Sequence, residues 1–521
     1  MADTPLVNLT IEGRPVSVPA GTSILEAAKT VGVLIPHYCY HPGLPVAGVC
    51  RMCLVDVEKA PKLAPACATS VAEGQVVHVH AEKAREARKG VLEMLLINHP
   101  LDCPICDQSG ECELQDYTYK EGRADSRYRE PKRFNPVEDF GGDVMYVPNR
   151  CILCTRCVRF MEDVAHDAVL NVSERGDRAY IGKADGKDLT HPWAGNVVDL
   201  CPVGALLSKD FLNKARSWEL DRTASVCTGC SQGCNMIVET RDNAVVRLRP
   251  RPNSDVNAFF LCDHGRLNYR WLNRGDRLEA PSLRGAAEPR ATDWDVALAG
   301  AAAVLKGKRV HVLASPNLSN EALFFLARIA KASGGKAAFR VEQGPEAPLE
   351  GVEDLALRAD RAANGRGAEL LGLERSDTPL AGVAAGDAVI VADCELTPDD
   401  VKHVSKAGAV VLVSTFMPTG LPRVDVSLPI CNYVEEEGTF TNLRGRVQRF
   451  LQARAAPGMA RPSWYVLADL CNALGDRFDV LTAGQAFAAL ASSQSAFAGL
   501  SHDTIGLRGA PVNGATAGAT S

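Results

Sequence analysis

The 521-residue chain has no apolar run approaching the roughly 18 residues that a membrane-spanning helix needs. Met1-Ala2-Asp3 opens no basic-then-apolar export signal, so the expected location is soluble and cytoplasmic. Positive charge is not in excess: 57 Lys and Arg stand against 63 Asp and Glu, and a net charge of −6 disfavours nucleic acid and anionic membrane as partners. No G-x-G-x-x-G follows any apolar run, which leaves dinucleotide binding unsupported. What remains is an ordinary globular composition, 46% hydrophobic and 23% charged. At roughly 150 residues per domain, this length predicts about three or four modules.

Cysteine is what the sequence has in abundance, and 15 of its 18 lie between Cys39 and Cys262. They form four groups: Cys39, Cys50, Cys53 and Cys67; Cys103, Cys106 and Cys112; Cys151, Cys154, Cys157 and Cys201; Cys227, Cys230, Cys234 and Cys262. The second group is one thiolate short, and His99 stands four residues before it, so that sixteen ligands make four sites of four. A disulfide framework suits short secreted chains, whereas C-x-x-C repeats without an export signal read as metal or redox sites. Zinc knuckles come as separated pairs. By contrast, Cys151-Ile152-Leu153-Cys154-Thr155-Arg156-Cys157 places three thiolates in seven residues, with Cys201-Pro202 as a remote fourth, the run that wraps a 4Fe-4S cube. A structural zinc scaffold requires every one of the cluster readings to be wrong.

Residues 5–10 and 14–18 alternate like strands around Glu12-Gly13, and Thr22-Ser23 caps a short helix through Val31. The loop that follows holds Cys39, Cys50, Cys53 and Cys67, read as a 2Fe-2S centre, although ten residues separate its first two cysteines where plant-type ferredoxins have four. Glycine beside these thiolates lets backbone N–H groups turn towards the sulfurs. His37 and His41 flank a group that is already complete, so they read as surface residues or as neighbours of its ligands. Residues 82–98 carry Ala84, Ala87, Val91, Met94, Leu95 and Asn98 at helical spacing, ended by Pro100, which places His99 at the helix end. Residues 120–150 read as a charged, solvated linker. Beyond residue 275, the apolar runs 310–314, 388–392 and 409–413 read as buried parallel strands of a doubly wound domain. Cys394, Cys431 and Cys471 read as small buried hydrophobes, and the Ala, Ser, Gly and Thr-rich tail from about residue 484 is expected to be disordered.

The ligand pattern C-x10-C-x2-C-x13-C, H-x3-C-x2-C-x5-C, C-x2-C-x2-C-x43-C-P resembles the large iron-sulfur (G) subunits of bacterial respiratory complex I, the NADH:quinone oxidoreductases, over residues 1 to about 270. The fourth group, C-x2-C-x3-C-x27-C, is similar to the site that opens molybdopterin oxidoreductases, as are Glu436-Glu437-Gly438-Thr439-Phe440-Thr441-Asn442 and Gly445-Arg446-Val447-Gln448. The resemblance implies α+β N-terminal iron-sulfur modules followed by an α/β molybdopterin-oxidoreductase-like domain. The modules would be a β-grasp 2Fe-2S ferredoxin (1–80), a 4Fe-4S module with one histidine and three cysteine ligands (81–120), a 4Fe-4S ferredoxin-like module (121–218) and a 4Fe-4S module of molybdopterin-oxidoreductase type (219–275). A shortened α/β domain (276–483) and the tail (484–521) would follow.

In the family, electrons enter from a flavin subunit at the 2Fe-2S centre and pass to the cube matched by Cys151, Cys154, Cys157 and Cys201. They continue to the cube matched by His99, Cys103, Cys106 and Cys112, and on to quinone through neighbouring hydrophilic subunits. The cube matched by Cys227, Cys230, Cys234 and Cys262 lies off this route. The resemblance therefore implies one 2Fe-2S and three 4Fe-4S clusters, no molybdopterin, no catalytic residue in this chain, and a peripheral place on the cytoplasmic side of the inner membrane. A rival resemblance is to NAD-linked formate dehydrogenase α subunits and iron hydrogenases. Against it, no cysteine stands between Cys157 and Cys201, Cys262-Asp263-His264-Gly265-Arg266 departs from the catalytic Cys-x-Lys-Gly-Arg, and only 259 residues follow Cys262.

Overall fold

The computed structural model describes residues 5–285 and 289–514. These divide into two compact units, one running to Leu220 together with Leu349–Glu353, the other made of Asp221–Pro348 and the chain from Asp354 onward.

In the first unit, Leu6–Ile11 and Arg14–Pro19 pair antiparallel with Ile11 opposite Arg14. Glu12 and Gly13 between them both take positive φ, 50° and 73°, the two-residue turn whose twist matches that of paired strands. Three shorter strands complete a five-stranded sheet in the order Arg14–Pro19, Leu6–Ile11, Val76–His78, Leu54–Val57, Ala64–Pro65. Helix Ile24–Thr30 starts at Ser23, whose hydroxyl accepts the Glu26 N–H at 3.2 Å. Its Ile24, Leu25, Ala27 and Ala28 enter a core that also takes in Cys53 and Cys67, so two candidate ligands are seated on packed apolar side chains.

The helical pattern over 82–98 forms helix Glu82–Leu96, but its buried stripe is Ala84, Arg88 and Leu92, and Met94 is 76% exposed. An arginine in the stripe hides it from an apolar count. Fully buried Arg88 donates to the carbonyls of Leu54 and Val79 at 3.3 and 3.0 Å and pairs with Glu121 at 3.1 Å, which offsets part of the cost of burying the charge, while its Nη2 has no hydrogen-bond partner among the described residues. The 120–150 segment is also not simply a linker. Residues 123–137 have no regular element, but Glu138–Gly141 and Val144–Tyr146 pair and are joined by Leu206–Ser208 in an antiparallel sheet. Nor are its charges only solvated: Lys132 donates to the Leu96 and Ile97 carbonyls at 2.8 and 2.9 Å and satisfies the open end of helix Glu82–Leu96.

The second unit opens with an antiparallel sheet of Asp221–Val226, Asn235–Arg241 and Ala244–Pro250. Its larger sheet runs in the order Arg290–Ala291, Ser282–Leu283, Val426–Pro429, Ala409–Ser414, Ala388–Ala392, Val310–Ala314, Ala337–Phe339, Glu374–Arg375. Val310–Ala314, Ala388–Ala392 and Ala409–Ser414 are parallel neighbours and buried at every position, as continuous apolar runs require when both faces are covered. Cys431 and Cys471 are buried as expected, whereas Cys394 is half-buried.

The tail expected to be disordered is folded as far as residue 514. Helix Ala483–Ser493 is fixed by a reciprocal Thr482–Gln485 cap and buries Ala483, Ala486, Phe487 and Leu490, and Ala510–Pro511 pairs with Arg446–Phe450. Small residues at helical spacing conceal a packed face that composition alone does not register. Residues 515–521 of that tail lie outside the described residues.

Candidate iron-sulfur centres

All 18 cysteines are free thiols, and the first four candidate ligands form one hydrogen-bonded group. Cys53 Sγ lies 3.4 Å from Cys67 Sγ, and the Cys39 N–H donates to Cys50 Sγ at 3.4 Å. Hydrogen bonds from the Cys50 and Cys67 thiols hold the Cys39 thiol far below its ordinary value, and Cys67 brings Cys53 down to about 7. The loop that gathers them turns at Gly48 and Arg51, both with positive φ. His41 is pushed down to about 4 by burial and accepts the Gly43 N–H on Nδ1 at 3.1 Å.

In the third group Leu153 and Thr155 take φ of 52° and 60°, which curls the backbone round Cys151 and directs the Leu153 N–H at its sulfur, 3.4 Å away. Tyr146, buried, has its hydroxyl accepting the Ile181 N–H at 3.4 Å, and burial together with the nearby Cys151 pushes its own pKa far up. Burial pushes Cys151 up to about 11 and Cys154 up to about 12, and each of these thiols sits among the others of the group. Burial that raises a thiol in this way makes it a poor free nucleophile.

The fourth group sits in the loop between Val226 and Asn235 and at the start of helix Asp263–Leu267. The Gly229 N–H donates to Cys227 Sγ at 3.4 Å and the Gly265 N–H to Cys262 Sγ at 3.3 Å. A Cβ on Gly265 would lie 2.9 Å from Cys227 Sγ, so glycine is what lets the backbone close on that sulfur. The motif that resembles molybdopterin oxidoreductases clasps this loop. Gln448 donates to the Gly233 carbonyl at 2.8 Å, Asn442 to the Gln232 carbonyl at 3.3 Å, and the Leu443 N–H to the Ser231 carbonyl at 2.9 Å. Those roles were not legible in the sequence, where the motif stands more than 200 residues away.

The second group is the most open: Cys106 is buried, Cys112 half-buried and Cys103 exposed. Burial, reinforced by Cys106 and Cys103, pushes Cys112 up to about 11. A Cβ on Gly204 would lie 2.2 Å from Cys106 Sγ, another cradle that only glycine leaves open. His99 is pushed down to about 4, first by burial and then by Lys132 and Arg150, and its buried Nδ1 has no hydrogen-bond partner among the described residues. A neutral imidazole with an orphaned nitrogen is what a ligand requires. His99 also shares with Cys151 the walls of a cleft of about 770 Å³. Among the described residues no three His, Cys, Asp or Glu side chains converge on one ion position; cluster ligands, one to each iron corner, need not do so. If His99 is a neutral ligand in place of an anionic thiolate, His99→Cys is expected to keep the centre and lower its potential, by about 59 mV for each tenfold change in the reduction equilibrium. An unchanged EPR signal and potential in His99→Ala would place the fourth ligand elsewhere.

Five family models match the chain in sequence order. They are the 2Fe-2S iron-sulfur cluster binding domain (4–82), the NADH-ubiquinone oxidoreductase-G iron-sulfur binding region (88–127), the ferredoxin-like domain of NADH-quinone oxidoreductase subunit 3 (141–207), the molybdopterin oxidoreductase Fe4S4 domain (220–274) and molybdopterin oxidoreductase (389–473). The class is thus a multi-domain iron-sulfur protein of mixed α/β structure, with a molybdopterin-oxidoreductase part at its C-terminal end. Among curated relatives, the 78 kDa subunit of mitochondrial NADH-ubiquinone oxidoreductase from Candida albicans is 46% identical over 57% of this chain and 41% of its own length. The G subunit of the Rickettsia bellii NADH-quinone oxidoreductase is 40% identical over 62% and 47%. Iron-sulfur protein 1 of mitochondrial NADH dehydrogenase from Solanum tuberosum is 44% identical over 58% and 41%. The resemblance read from the cysteine spacing is upheld by these relatives, of which the chain spans less than half the length.

Proposed function

We propose that the chain is an electron-transferring iron-sulfur subunit of an NADH:quinone oxidoreductase, relaying electrons from a flavin subunit towards quinone. The observation that carries this reading is that all sixteen candidate ligands fall, group by group and in order, within the four matched iron-sulfur domains. Cys39, Cys50, Cys53 and Cys67 would hold a 2Fe-2S cluster. His99, Cys103, Cys106 and Cys112, then Cys151, Cys154, Cys157 and Cys201, and finally Cys227, Cys230, Cys234 and Cys262 would each hold a 4Fe-4S cluster. Such clusters supply one-electron carriers of tunable potential.

The protein's own part is to fix the ligands, exclude water and aim N–H groups at the sulfurs, and no side-chain acid or base is assigned. The module boundaries given above follow the same reading, except that the last domain runs on through helix Ala483–Ser493 to residue 514. The partners are the flavin subunit and other hydrophilic subunits of the complex. No helix among the described residues is long and apolar enough to cross a membrane, and attachment to the cytoplasmic face would come through a membrane arm. The part from residue 276 onward is read as a packing shell without molybdopterin, since a fold can outlast its chemistry.

Anaerobically prepared protein should contain about 14 irons per chain, two in one centre and four in each of three, with matching acid-labile sulfide and no molybdenum. Stoichiometric zinc without sulfide would overturn the reading.

A further inference from the structure

Arg156 lies between two candidate ligands, Cys154 and Cys157, and its side chain is only 5% exposed. Its donors reach three distant parts of the first unit. Nη2 donates to the Tyr40 carbonyl at 2.8 Å and Nη1 to the Leu200 carbonyl at 3.2 Å. The same two nitrogens hold the Glu113 carboxylate in a fork at 3.2 and 3.3 Å. Tyr40, Leu200 and Glu113 each adjoin a candidate ligand, namely Cys39, Cys201 and Cys112, from three different groups. One turn further on, Arg159 donates to the Cys39 carbonyl at 2.5 Å and the Cys154 carbonyl at 3.4 Å. Nε of Arg156 is buried and has no protein acceptor among the described residues. Its cation bears on the Cys154 and Cys201 sulfurs.

A loop tie would need only one of these contacts. A planar fork of five donors that meets three ligand-bearing segments at once is a specific use of arginine, which lysine's compact ammonium does not reproduce. We propose that Arg156 is a positioning residue shared by three centres: it fixes the Cys39, Cys112 and Cys151 segments to one another and gives the cysteine ligands around it a common buried positive charge that favours the reduced state. This rests on the ligand assignment proposed above. It goes further in placing a control of inter-centre electron transfer on a residue that binds no iron. The physical sense is that a cation fixed in a water-excluded site acts on every nearby electron acceptor in the same direction, since addition of an electron makes each more negative.

The test uses the full chain in its complex. Arg156→Gln removes the charge, Arg156→Lys keeps it without the fork, and Arg156→Gln with Glu113→Gln also removes the half-buried carboxylate that would be left unpaired. Iron and acid-labile sulfide are measured first, and the wild-type protein must contain them; their absence would sink the ligand assignment itself before any variant is read. Cluster-replete Arg156→Gln should show EPR-monitored reduction of the Cys151 centre shifted about tenfold towards the oxidised state, about 59 mV for a one-electron couple; the double variant, read if the single one does not accumulate, also loses the Glu113 charge and should shift the same way by less. The Cys39 and Cys112 centres should shift in the same direction by less. Arg156→Lys should reverse most of that shift while the magnetic interaction between centres still differs from wild type. Unchanged potentials in a cluster-replete Gln variant would overturn the proposal and reduce Arg156 to a structural tie. So would a Lys variant that shifts as far as the Gln variant does.

Discussion

Replacing Cys154 with Ala is expected to abolish NADH-to-quinone turnover in assembled complex, whereas Cys230→Ala is expected to lower the amount of complex and leave turnover per assembled complex largely intact. Cys154 belongs to the group whose backbone is tied by Arg156 and Arg159 to the Cys39 and Cys112 segments, so the removal of its centre would break the relay at its middle. Cys230 sits in a loop clasped by Gln448, Asn442 and Leu443. Loss of a ligand there forfeits binding free energy that is coupled to folding and leaves raised, buried thiols without a metal, which is a stability effect. The measurement is turnover normalised to complex isolated by size, with EPR to show which centre is missing. Full assembly with lost turnover in Cys230→Ala would put that centre on the main path.

The candidate ligands were legible because each group has a closely spaced set of cysteines and a count that comes to four, a pattern visible without any knowledge of packing. The parallel strands of the second unit were legible for a similar reason, since burial on both faces leaves a continuous apolar run such as Val310–Ala314. What escaped is what packing decides. Arg88 and Arg156 are charged residues in buried positions, and their partners Glu121 and Glu113 lie 33 and 43 residues away, beyond any local pattern. Helix Ala483–Ser493 escaped because alanine fills its buried face and reads as low complexity, although Phe487 and Leu490 keep the helical period. That a glycine stands near a cysteine is visible in the sequence, but which sulfur it faces depends on the folded chain: Gly204, three residues past Cys201, faces Cys106 of a different group.

Gly204→Ala is expected to remove the centre assigned to His99, Cys103, Cys106 and Cys112, with loss of its EPR signal and of four of the roughly 14 irons expected. The added Cβ would lie 2.2 Å from Cys106 Sγ, well inside any real contact distance, and a tight 3.1 Å from Gln108 Cβ. A free thiol could rotate to another staggered position and relieve the clash cheaply. A ligand cannot, because its sulfur is fixed by the metal on one side and by the backbone after Cys103–Ile105 on the other, so the strain must displace the ligand or the loop. The substitution therefore separates the two readings of Cys106 more sharply than its direct replacement, which would also remove a buried side chain. Gly90→Ala is the matched control: it lies in helix Glu82–Leu96 with nothing within 4 Å of its added Cβ, and it should leave iron content and every signal unchanged. If Gly204→Ala retained all its iron and an unaltered signal, the Cys106 sulfur would be free to move and could not be a ligand of the second centre.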